Sequence, residues 1–303
     1  MSIFNEEILR SDPLQGSFSA TGLETYLTCP RKFYLKYLSK LSVTSSPASL
    51  VFGAAIHHAV GTFYTVKDLP EGSIRSMFSV PAGITTAMLM EYVCVRAFTQ
   101  KWNEAGIEGD GKRNLVNGID IICKYISTYK GDTAAYLPEY IETNTSLMMP
   151  NGTRLICIID RIQKESSYIS VCDTKTSSWP LTDYFFKKFI NSFQLSCYDY
   201  ATISLLGDCD NVCIDGILVP NRGTGDSFIR RTFLRTDHQR AEFLNTYTGI
   251  TDRIREDLAK SEEDAVKCFS CNPTACDNYG GCEYIPLCQY GFTASSLCIY
   301  KRG

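Results

Sequence analysis

The sequence predicts an α/β fold with a metal-ordered tail, and three observations support this prediction. Two apolar, β-branched runs, Leu155 to Ile162 and Tyr168 to Cys172, flank the polar connection Lys164 to Ser167, which is typical of a β-hairpin. Other stretches on both sides of the hairpin show the apolar periodicity of amphipathic helices. The five cysteines from Cys268 to Cys288 stand in polar sequence with Gly and Pro, so we expect a metal to order this tail.

Length and composition describe a globular protein with an ample core. The chain has 303 residues, of which 44% are apolar, and a net charge of -3. Any surface that binds phosphates must therefore be a local basic groove in an acidic background. The N-terminus lacks a basic region followed by an apolar run, and no stretch approaches the length of a membrane span. We expect a soluble, cytoplasmic protein without a membrane partner, whose 14 cysteines are reduced or bind metal.

The first predicted elements are two short helices that meet at Cys29. A Ser/Thr cap and apolar residues from Phe18 predict a helix that stops at Cys29-Pro30, and Pro30 suits the first turn of the next helix. A buried structural cysteine is the simplest interpretation of Cys29. Further on, Gly53 and His57 open a predicted helix and lie four residues apart, hence on one helical face.

Residues 65 to 139 are predicted to be a helical insertion. Apolar periodicity is clearest over Met88 to Phe98 and Leu115 to Tyr129. Between these runs, Gly106 to Arg113 has the spacing of a phosphate-binding loop, but Arg113 replaces the Ser or Thr and no strand precedes it. We therefore interpret this segment as a flexible loop, and we expect no nucleotide-driven motor in the chain.

The hairpin carries the strongest candidate site. A first strand, Tyr140 to Leu147, leads into it, and folding about its turn brings Asp160 opposite the neighbourhood of Asp173. Asp173 and Lys175 share a face because side chains alternate along a strand. Two close carboxylates recruit a cation, hard oxygen ligands suit Mg²⁺ or Mn²⁺, and a lysine beside the metal can activate water. A solvated strand end with an Asp-Lys pair is the alternative.

A helix from Thr182 to Leu206 is predicted to follow the hairpin. It places Gln194 and Tyr198 four residues apart on one face. Lys187 and Lys188 stand among phenylalanines, which suits a path for single-stranded nucleic acid but equally an amphipathic helix. The remaining predicted elements are two strands and a charged amphipathic helix, at 212 to 220, 230 to 236 and 237 to 260.

Five ordered motifs together resemble the PD-(D/E)XK nuclease superfamily, in particular its RecB-like branch with AddB and the CRISPR-associated exonucleases. The motifs are Tyr26-x-x-Cys29-Pro-Arg-x-Phe33, Gly53-x-x-x-His57, Asp160 with Asp173-x-Lys175, Gln194-x-x-x-Tyr198, and the tail triplet Cys276, Cys282 and Cys288. The resemblance implies a restriction-endonuclease-like α/β core, in which a mixed central sheet is flanked by helices. It also implies a helical insertion and an iron-sulfur-clipped tail.

The resemblance implies a role for each motif residue. Mg²⁺ or Mn²⁺ would be held by His57, Asp160, Asp173 and the backbone carbonyl of Thr174. Lys175 would activate water, and Gln194 would hold Lys175 or the scissile phosphate. The residues implied in nucleic-acid binding are Tyr198, Arg161, Lys187 and Lys188.

The same resemblance implies a [4Fe-4S] cluster held by Cys29 and the triplet Cys276, Cys282 and Cys288. Four thiolates suit such a cluster. Cys268 and Cys271 would then be spare. A local zinc site, built from Cys268-x-x-Cys271 with Cys276 and Cys282, is the alternative.

The implied function is that of a metal-dependent deoxyribonuclease, an exonuclease acting on single-stranded DNA ends. We expect one nuclease domain over 1 to 303, with N-terminal helices (18 to 64), the insertion (65 to 139), a catalytic core (140 to 260) and the tail (261 to 303). The expected setting is DNA repair or recombination in a prokaryotic or phage-infected cell, with a helicase or recombination partner. The alternatives are a catalytically silent nucleic-acid-binding subunit and a zinc-clipped structural or adaptor protein.

Overall fold

A computed structural model describes residues 11–44, 47–132, 135–165, 168–219, 227–277 and 281–302. The predicted turn residues Ser166 and Ser167, and Pro220 at the end of a predicted strand, lie outside these ranges. The chain forms two compact units. The described residues of the first unit fall within Ser46–Thr143 and Ile158–Arg235, and those of the second within Asn5–Ser45, Asn144–Cys157 and Thr236–Gly303.

Four helices form the N-terminal part of the first unit: α3 (Ala48–Val66), α4 (Glu71–Phe78), α5 (Thr86–Glu104) and α6 (Leu115–Tyr129). Their apolar faces share one core, in which Phe52 packs edge-on against Phe98 and Trp102. Gly118 of α6 admits this packing because a Cβ atom there would collide with the ring of Phe98. The range 65 to 139, predicted to be helical, thus holds α4, α5 and α6, but its end from Ala135 belongs to strand β3; that these helices are an insertion stays a prediction.

The first unit also holds a mixed sheet, as predicted. Strand β4 (Arg154–Glu165) pairs with β3 (Ala135–Met148) and, antiparallel, with β5 (Tyr168–Ser177). Strand β5 in turn pairs in parallel with β6 (Asn211–Leu218), and β6 pairs antiparallel with β7 (Phe228–Phe233). The hairpin predicted from the two apolar runs is thus confirmed as β4 and β5.

The helix predicted after the hairpin is in fact two helices, α7 (Asp183–Lys187) and α8 (Phe193–Leu206). Ser192 starts the second helix, since its side chain accepts a hydrogen bond from the backbone N–H of Leu195. The Arg235 guanidinium donates to the backbone carbonyl groups of Phe189 and Ile190, which satisfies acceptors at the break. The helix prediction missed this break because its partner Arg235 is remote in sequence.

The segment Gly106 to Arg113 is an irregular loop after α5, as predicted. The Asp110 carboxylate accepts hydrogen bonds from the backbone N–H groups of Lys112 and Arg113 and from the Arg113 guanidinium. A carboxylate therefore occupies these backbone donors, which confirms that the segment is not arranged as a phosphate-binding loop.

The second unit joins the N-terminal helices to the C-terminal tail. Its N-terminal elements are β1 (Ser17–Ser19), α1 (Ala20–Thr28), α2 (Pro30–Phe33), a π-helical turn (Tyr34–Leu38) and β2 (Leu41–Val43). Its C-terminal elements are α9 (Asp237–Cys268), α10 (Ile285–Tyr290), α11 (Ala294–Leu297) and β8 (Tyr300–Arg302). β1 pairs in parallel with the start of β4, and β2 pairs antiparallel with β8. Helix α9 is longer than predicted and ends at Cys268.

Aromatic and polar contacts hold the tail against α1 and α2. The Phe269 ring stacks on Phe33 and Tyr34, and the carbonyl of Phe269 accepts a hydrogen bond of 2.7 Å from Arg31 Nε. The Tyr26 hydroxyl donates to the Asp257 carboxylate of α9 at 2.5 Å. Cys29, at the junction of α1 and α2, therefore lies next to the tail. None of the described helices is long and apolar enough to cross a membrane.

Candidate active site and cysteine cluster

The centre of the candidate site lies at the end of the β4–β5 hairpin and consists of Asp160, Asp173 and Lys175. The register sets Arg161 opposite Cys172, so Asp160 faces Asp173 one residue further on. The backbone N–H of Thr174 donates to Asp160 Oδ2 at 2.7 Å, and Lys175 Nζ lies 2.7 Å from Asp173 Oδ2. Burial raises the pKa of Asp173 to about 6, although the neighbouring Lys175 ammonium opposes this rise.

Helix α3 brings His57 to the same place. His57 Nδ1 lies 3.1 Å from Asp160 Oδ2. Burial alone would lower the pKa of His57, but the Asp160 carboxylate outweighs it and raises the pKa to about 9. Conversely, burial opposes ionisation of Asp160, yet His57 and then Lys175 lower the Asp160 pKa to about 2. The adjacent His58 differs, since burial and then Lys101 lower its pKa.

The sequence analysis missed one residue of this group, Glu142 on β3. Ligand atoms of His57, Glu142 and Asp160 all lie within 4.8 Å of one another, which is close enough for one metal ion. Burial, and then the charge of Asp160, raise the pKa of Glu142 to about 8. Gly61, one helical turn after His57, makes room for this side chain, because a Cβ atom at Gly61 would lie only 3.2 Å from Glu142 Cγ.

The backbone of Glu142 is also unusual. Its φ is +51°, in the left-handed region that residues other than glycine rarely adopt. Such a conformation costs about 1 kcal/mol or more and concentrates at functional sites, where the surroundings hold it in place. The twist turns a strand residue toward His57 and Asp160.

Helix α8 supplies Gln194, which reaches the other side of Lys175. Gln194 Oε1 accepts a hydrogen bond of 3.0 Å from Lys175 Nζ, and Gln194 Nε2 donates to the Tyr198 hydroxyl at 2.9 Å. Lys175 is thus fixed between the carboxylate of Asp173 and the amide of Gln194. Tyr198 is only 6% exposed. Its hydroxyl supports the Gln194 side chain through this hydrogen bond, and the predicted contact of Tyr198 with nucleic acid stays a prediction.

Arg161 is buried within the sheet. Because side chains alternate along a strand, Arg161 points away from the face that carries Asp160. It is 1% exposed, donates to Thr174 Oγ1 at 2.9 Å and pairs with the Asp215 carboxylate at 2.5 Å. In this structure the Arg161 guanidinium is therefore occupied within the sheet, and its predicted role in binding nucleic acid stays a prediction.

Lys187 and Lys188 are exposed on and just after α7. Lys188 Nζ lies 4.4 Å from the ring centre of Phe185 and 4.9 Å from that of Phe189. Burial, and then the charge of Lys175, lower the pKa of Lys188, so the two ammonium groups are close enough to repel. The predicted role of these lysines in binding nucleic acid stays a prediction.

The donor set suits a hard divalent cation. Three carboxyl groups, those of Glu142, Asp160 and Asp173, converge with one imidazole and one ammonium group. Asp173 Oδ2 is buried and accepts no well-aligned hydrogen bond from the described residues, although it is ion-paired to Lys175. Carboxylate oxygens with one imidazole nitrogen fit Mg²⁺ or Mn²⁺. The role of the Thr174 carbonyl as a further ligand stays a prediction.

The second unit brings the N-terminal cysteine and the tail cysteines together. The Cys271 thiol lies close enough to Cys276 and Cys288 for these groups to influence one another's pKa, and Cys29 acts electrostatically on the thiols of Cys271, Cys276, Cys282 and Cys288. Cys29 Sγ also accepts a hydrogen bond of 3.4 Å from the Asn272 N–H. The four predicted ligands are therefore neighbours, and Cys271, expected to be spare, lies among them. In the part of the chain that the structure describes, no three of these thiols approach within 4.8 Å of one another.

Comparisons with known proteins bear on the fold and the family of the chain. A candidate exonuclease from Eubacterium rectale superimposes with a TM-score of 0.50 at 14% identity, over 84% of this chain and 87% of that chain, and this likeness concerns the fold. The alignment with a second solved structure, SSO0001, covers 54% of this chain and 67% of that chain at 15% identity, but its TM-score of 0.29 is too low to indicate a common fold. No curated protein matches the chain. The family model described as "PD-(D/E)XK nuclease superfamily" matches residues 17–289, and the chain therefore belongs to that superfamily.

Proposed function

We propose that this protein is a Mg²⁺- or Mn²⁺-dependent deoxyribonuclease of the RecB-like branch, an exonuclease that acts on single-stranded DNA ends. The observation that carries the proposal is the meeting of two groups. One is the His57, Glu142 and Asp160 set, whose ligand atoms lie within 4.8 Å of one another. The other is formed around Lys175, whose Nζ atom lies 2.7 Å from Asp173 Oδ2 and 3.0 Å from Gln194 Oε1. An ion pair with only a structural role would require neither the carboxyl group of Glu142 nor the amide of Gln194.

The residues that would hold the metal are His57, Glu142, Asp160 and Asp173, with the carbonyl of Thr174 as a further oxygen ligand. When bound, the ion would polarise the scissile phosphate and promote ionisation of the attacking water. His57 would bind as the neutral imidazole, so metal binding releases the proton that its pairing with Asp160 favours in the metal-free protein.

Lys175 would act on the reacting groups directly. Its ammonium group lies against Asp173 Oδ2 and Gln194 Oε1, and an ammonium group can donate a hydrogen bond to the attacking water or to a phosphate oxygen. In that place it orients the water and stabilises the negative charge of the pentacovalent transition state. Gln194 and Tyr198 are positioning residues, because they fix where the ammonium lies.

The preference for DNA with a free single-stranded end rests on the surface beside Lys175. Lys188 lies over the rings of Phe185 and Phe189, and the charge of Lys175 acts on it and lowers its pKa after the effect of burial. Cations beside aromatic rings suit an unpaired strand, which offers both phosphates and base faces. We propose that residues 1 to 303 act as one nuclease domain in the cytoplasm of a prokaryotic or phage-infected cell. A helicase or recombination protein would supply the ends there.

For the cofactor of the second unit we propose a [4Fe-4S] cluster held by Cys29, Cys276, Cys282 and Cys288, with Cys271 as the competing ligand. The convergence of thiols from both ends of the unit supports this, and a cluster accommodates thiols that lie too far apart for one ion. Protein purified without oxygen should be brown and contain iron. Cys29→Ser should lose the colour, whereas Cys94→Ser, at a buried thiol of the first unit, should keep it. Colourless protein with stoichiometric zinc would replace this proposal.

The activity is tested by incubating the protein with end-labelled single- and double-stranded DNA in Mg²⁺, Mn²⁺ or chelator. We expect metal-dependent release of short products from single-stranded ends, and none from a circular single strand. Lys175→Ala is the control for a contaminating nuclease. DNA binding without any metal-dependent hydrolysis would instead establish a catalytically silent binding subunit, and cleavage of the circle would establish an endonuclease.

A further inference from the structure

Two exposed aromatic side chains follow the strand that carries Lys175. Trp179 is 79% exposed and Tyr184 is 87% exposed. By contrast, Phe185, Phe186 and Phe189 in the same segment are buried. The segment therefore turns three rings inward to form its own core and presents two rings to solvent.

The backbone at Trp179 is held in place although its ring is exposed. The Ser177 hydroxyl accepts a hydrogen bond of 3.1 Å from the Trp179 N–H and donates one of 2.8 Å to the Trp179 carbonyl. Beside it, Arg113 of the irregular loop donates to the Ser178 hydroxyl at 2.5 Å. An exposed ring on an ordered backbone loses little conformational entropy when a ligand stacks on it.

Trp179 also lies near the candidate active site. It follows Lys175 by four residues, which limits the distance between their Cα atoms to about 14 Å. Cations stand on both sides of this segment: Arg113, itself paired with Asp110, donates to Ser178, and the charge of Lys175 acts on Lys188 and lowers the Lys188 pKa after the effect of burial. A phosphate chain that reaches Lys175 would therefore pass along cations next to an exposed indole.

We propose that Trp179, with Tyr184 as a second ring, is a base-stacking platform for the unpaired strand that enters the site. The inference rests on the proposed nuclease function and adds a residue that selects single-stranded over double-stranded substrate. A flat exposed ring binds the face of any unpaired base, whereas bases inside a duplex already stack on one another. Phosphate contacts alone would not distinguish the two forms.

Binding without hydrolysis tests the platform. In chelator, a fluorescent oligothymidylate is titrated with wild type, Trp179→Ala, Trp179→Phe, Tyr184→Ala and Tyr290→Ala, and anisotropy gives each dissociation constant. Loss of one stacking ring should weaken binding on the order of tenfold for Trp179→Ala, and less for Tyr184→Ala. Trp179→Phe should remain near wild type because it keeps a ring. Tyr290→Ala is the matched control, an aromatic residue of the second unit that is 63% exposed.

Intrinsic fluorescence gives a second readout. The chain has two tryptophans, and the other, Trp102, is 6% exposed in the helical core of the first unit. Oligothymidylate should quench the emission of wild-type protein and protect it from iodide, and Trp179→Phe should lose both effects.

The outcomes separate the platform from the nuclease function. Equal affinity of wild type and Trp179→Ala, together with metal-dependent hydrolysis by wild type, would overturn the platform alone. The same would follow if Trp179→Ala weakened binding of a blunt duplex as much as that of the single strand. Hydrolysis by neither protein, despite normal stacking, would overturn the nuclease proposal and leave the platform standing.

Discussion

The sheet of the first unit carries two groups of ionisable side chains that differ in charge balance. Asp215, on β6, is fully buried and pairs with Arg161 at 2.5 Å and with Arg230 at 3.4 Å. It also accepts a hydrogen bond of 2.5 Å from the Tyr125 hydroxyl. In the other group, the carboxyl groups of Glu142, Asp160 and Asp173 meet one imidazole and one ammonium group.

The difference separates a structural group from a binding group. Two guanidinium groups, those of Arg161 and Arg230, face the buried carboxylate of Asp215. Arg230 also pairs with the carboxylate of Asp132 at 2.6 Å, so two positive and two negative charges balance within the protein. Around Asp173 the acids outnumber the bases, and burial raises the pKa values of Asp173 and Glu142. A cation from solution relieves that imbalance. Under the proposed function, carboxylates on one sheet thus serve stability in one place and would serve metal binding in the other.

The largest expected effect is on activity. Asp173→Ala or Lys175→Ala should reduce metal-dependent hydrolysis by about 1,000-fold or more, because each removes a group that acts mainly in the transition state. Rates on labelled DNA measure the loss, and circular dichroism melting shows that the fold is intact. Wild-type turnover by either folded variant would contradict the proposed site.

The next largest effect is on stability, and it should come from the balanced group. Asp215→Ala leaves two guanidinium groups without their buried carboxylate and should cost about 3–5 kcal/mol in the free energy of unfolding. Urea denaturation in chelator measures it. Asp120→Ala is the matched control, since the pair of Asp120 with Lys124 is about half exposed and should contribute about 0.5 kcal/mol or less. Equal costs for the two variants would remove the distinction drawn above.

A smaller effect is expected on metal affinity. His57→Ala should weaken Mn²⁺ binding about 10- to 100-fold, as is usual when a metal site loses a coordinating or orienting group. Glu142→Gln should act in the same direction. His58→Ala should leave Mn²⁺ affinity unchanged, because His58 is not part of the group formed by His57, Glu142 and Asp160. Calorimetric titration of the three variants decides this, and equal losses for His57 and His58 would exclude His57 as a ligand.

The smallest effect concerns a partly exposed ion pair of the second unit. Lys32 Nζ lies 2.8 Å from Glu283 Oε2, and both side chains are about one third exposed. Burial would raise the pKa of Glu283, but the hydrogen bond from Lys32 outweighs it and lowers the pKa below its ordinary 4.5. A depressed acid pKa stabilises the fold above the unfolded value, and this stabilisation is lost as pH falls through the folded value.

Glu283→Gln should therefore cost up to about 1 kcal/mol at pH 7, after allowance for solvent screening. The difference from wild type should shrink below pH 4.5 and vanish in stronger acid. Urea melts at neutral and acidic pH measure this. A difference that stayed constant with pH would show that packing, rather than charge, accounts for the effect.

Sequence analysis could predict the parts of the site that follow local periodicity. Alternation along β5 sets Asp173 and Lys175 on one face, and helical spacing sets Gln194 and Tyr198 together. It could not predict Glu142, whose carboxyl group reaches the site through a left-handed backbone turn inside a strand. Nor could it predict that Arg161 is buried, because the partner Asp215 is distant in the chain and joins it through the parallel pairing of β5 with β6.

The order of strands in this sheet also has a consequence for folding kinetics. The β4–β5 hairpin needs only a short turn, so Asp160 and Asp173 can meet early. Hairpins typically form in about 1–10 μs. The parallel pairing of β5 with β6 closes a much longer loop that contains α7 and α8, and Gln194 can reach Lys175 only when that loop is in place. We therefore expect the acidic pair to form before the lysine is oriented. Until that loop closes, Lys175 can pair with Asp173 of its own strand but is not yet held by Gln194 on its other side.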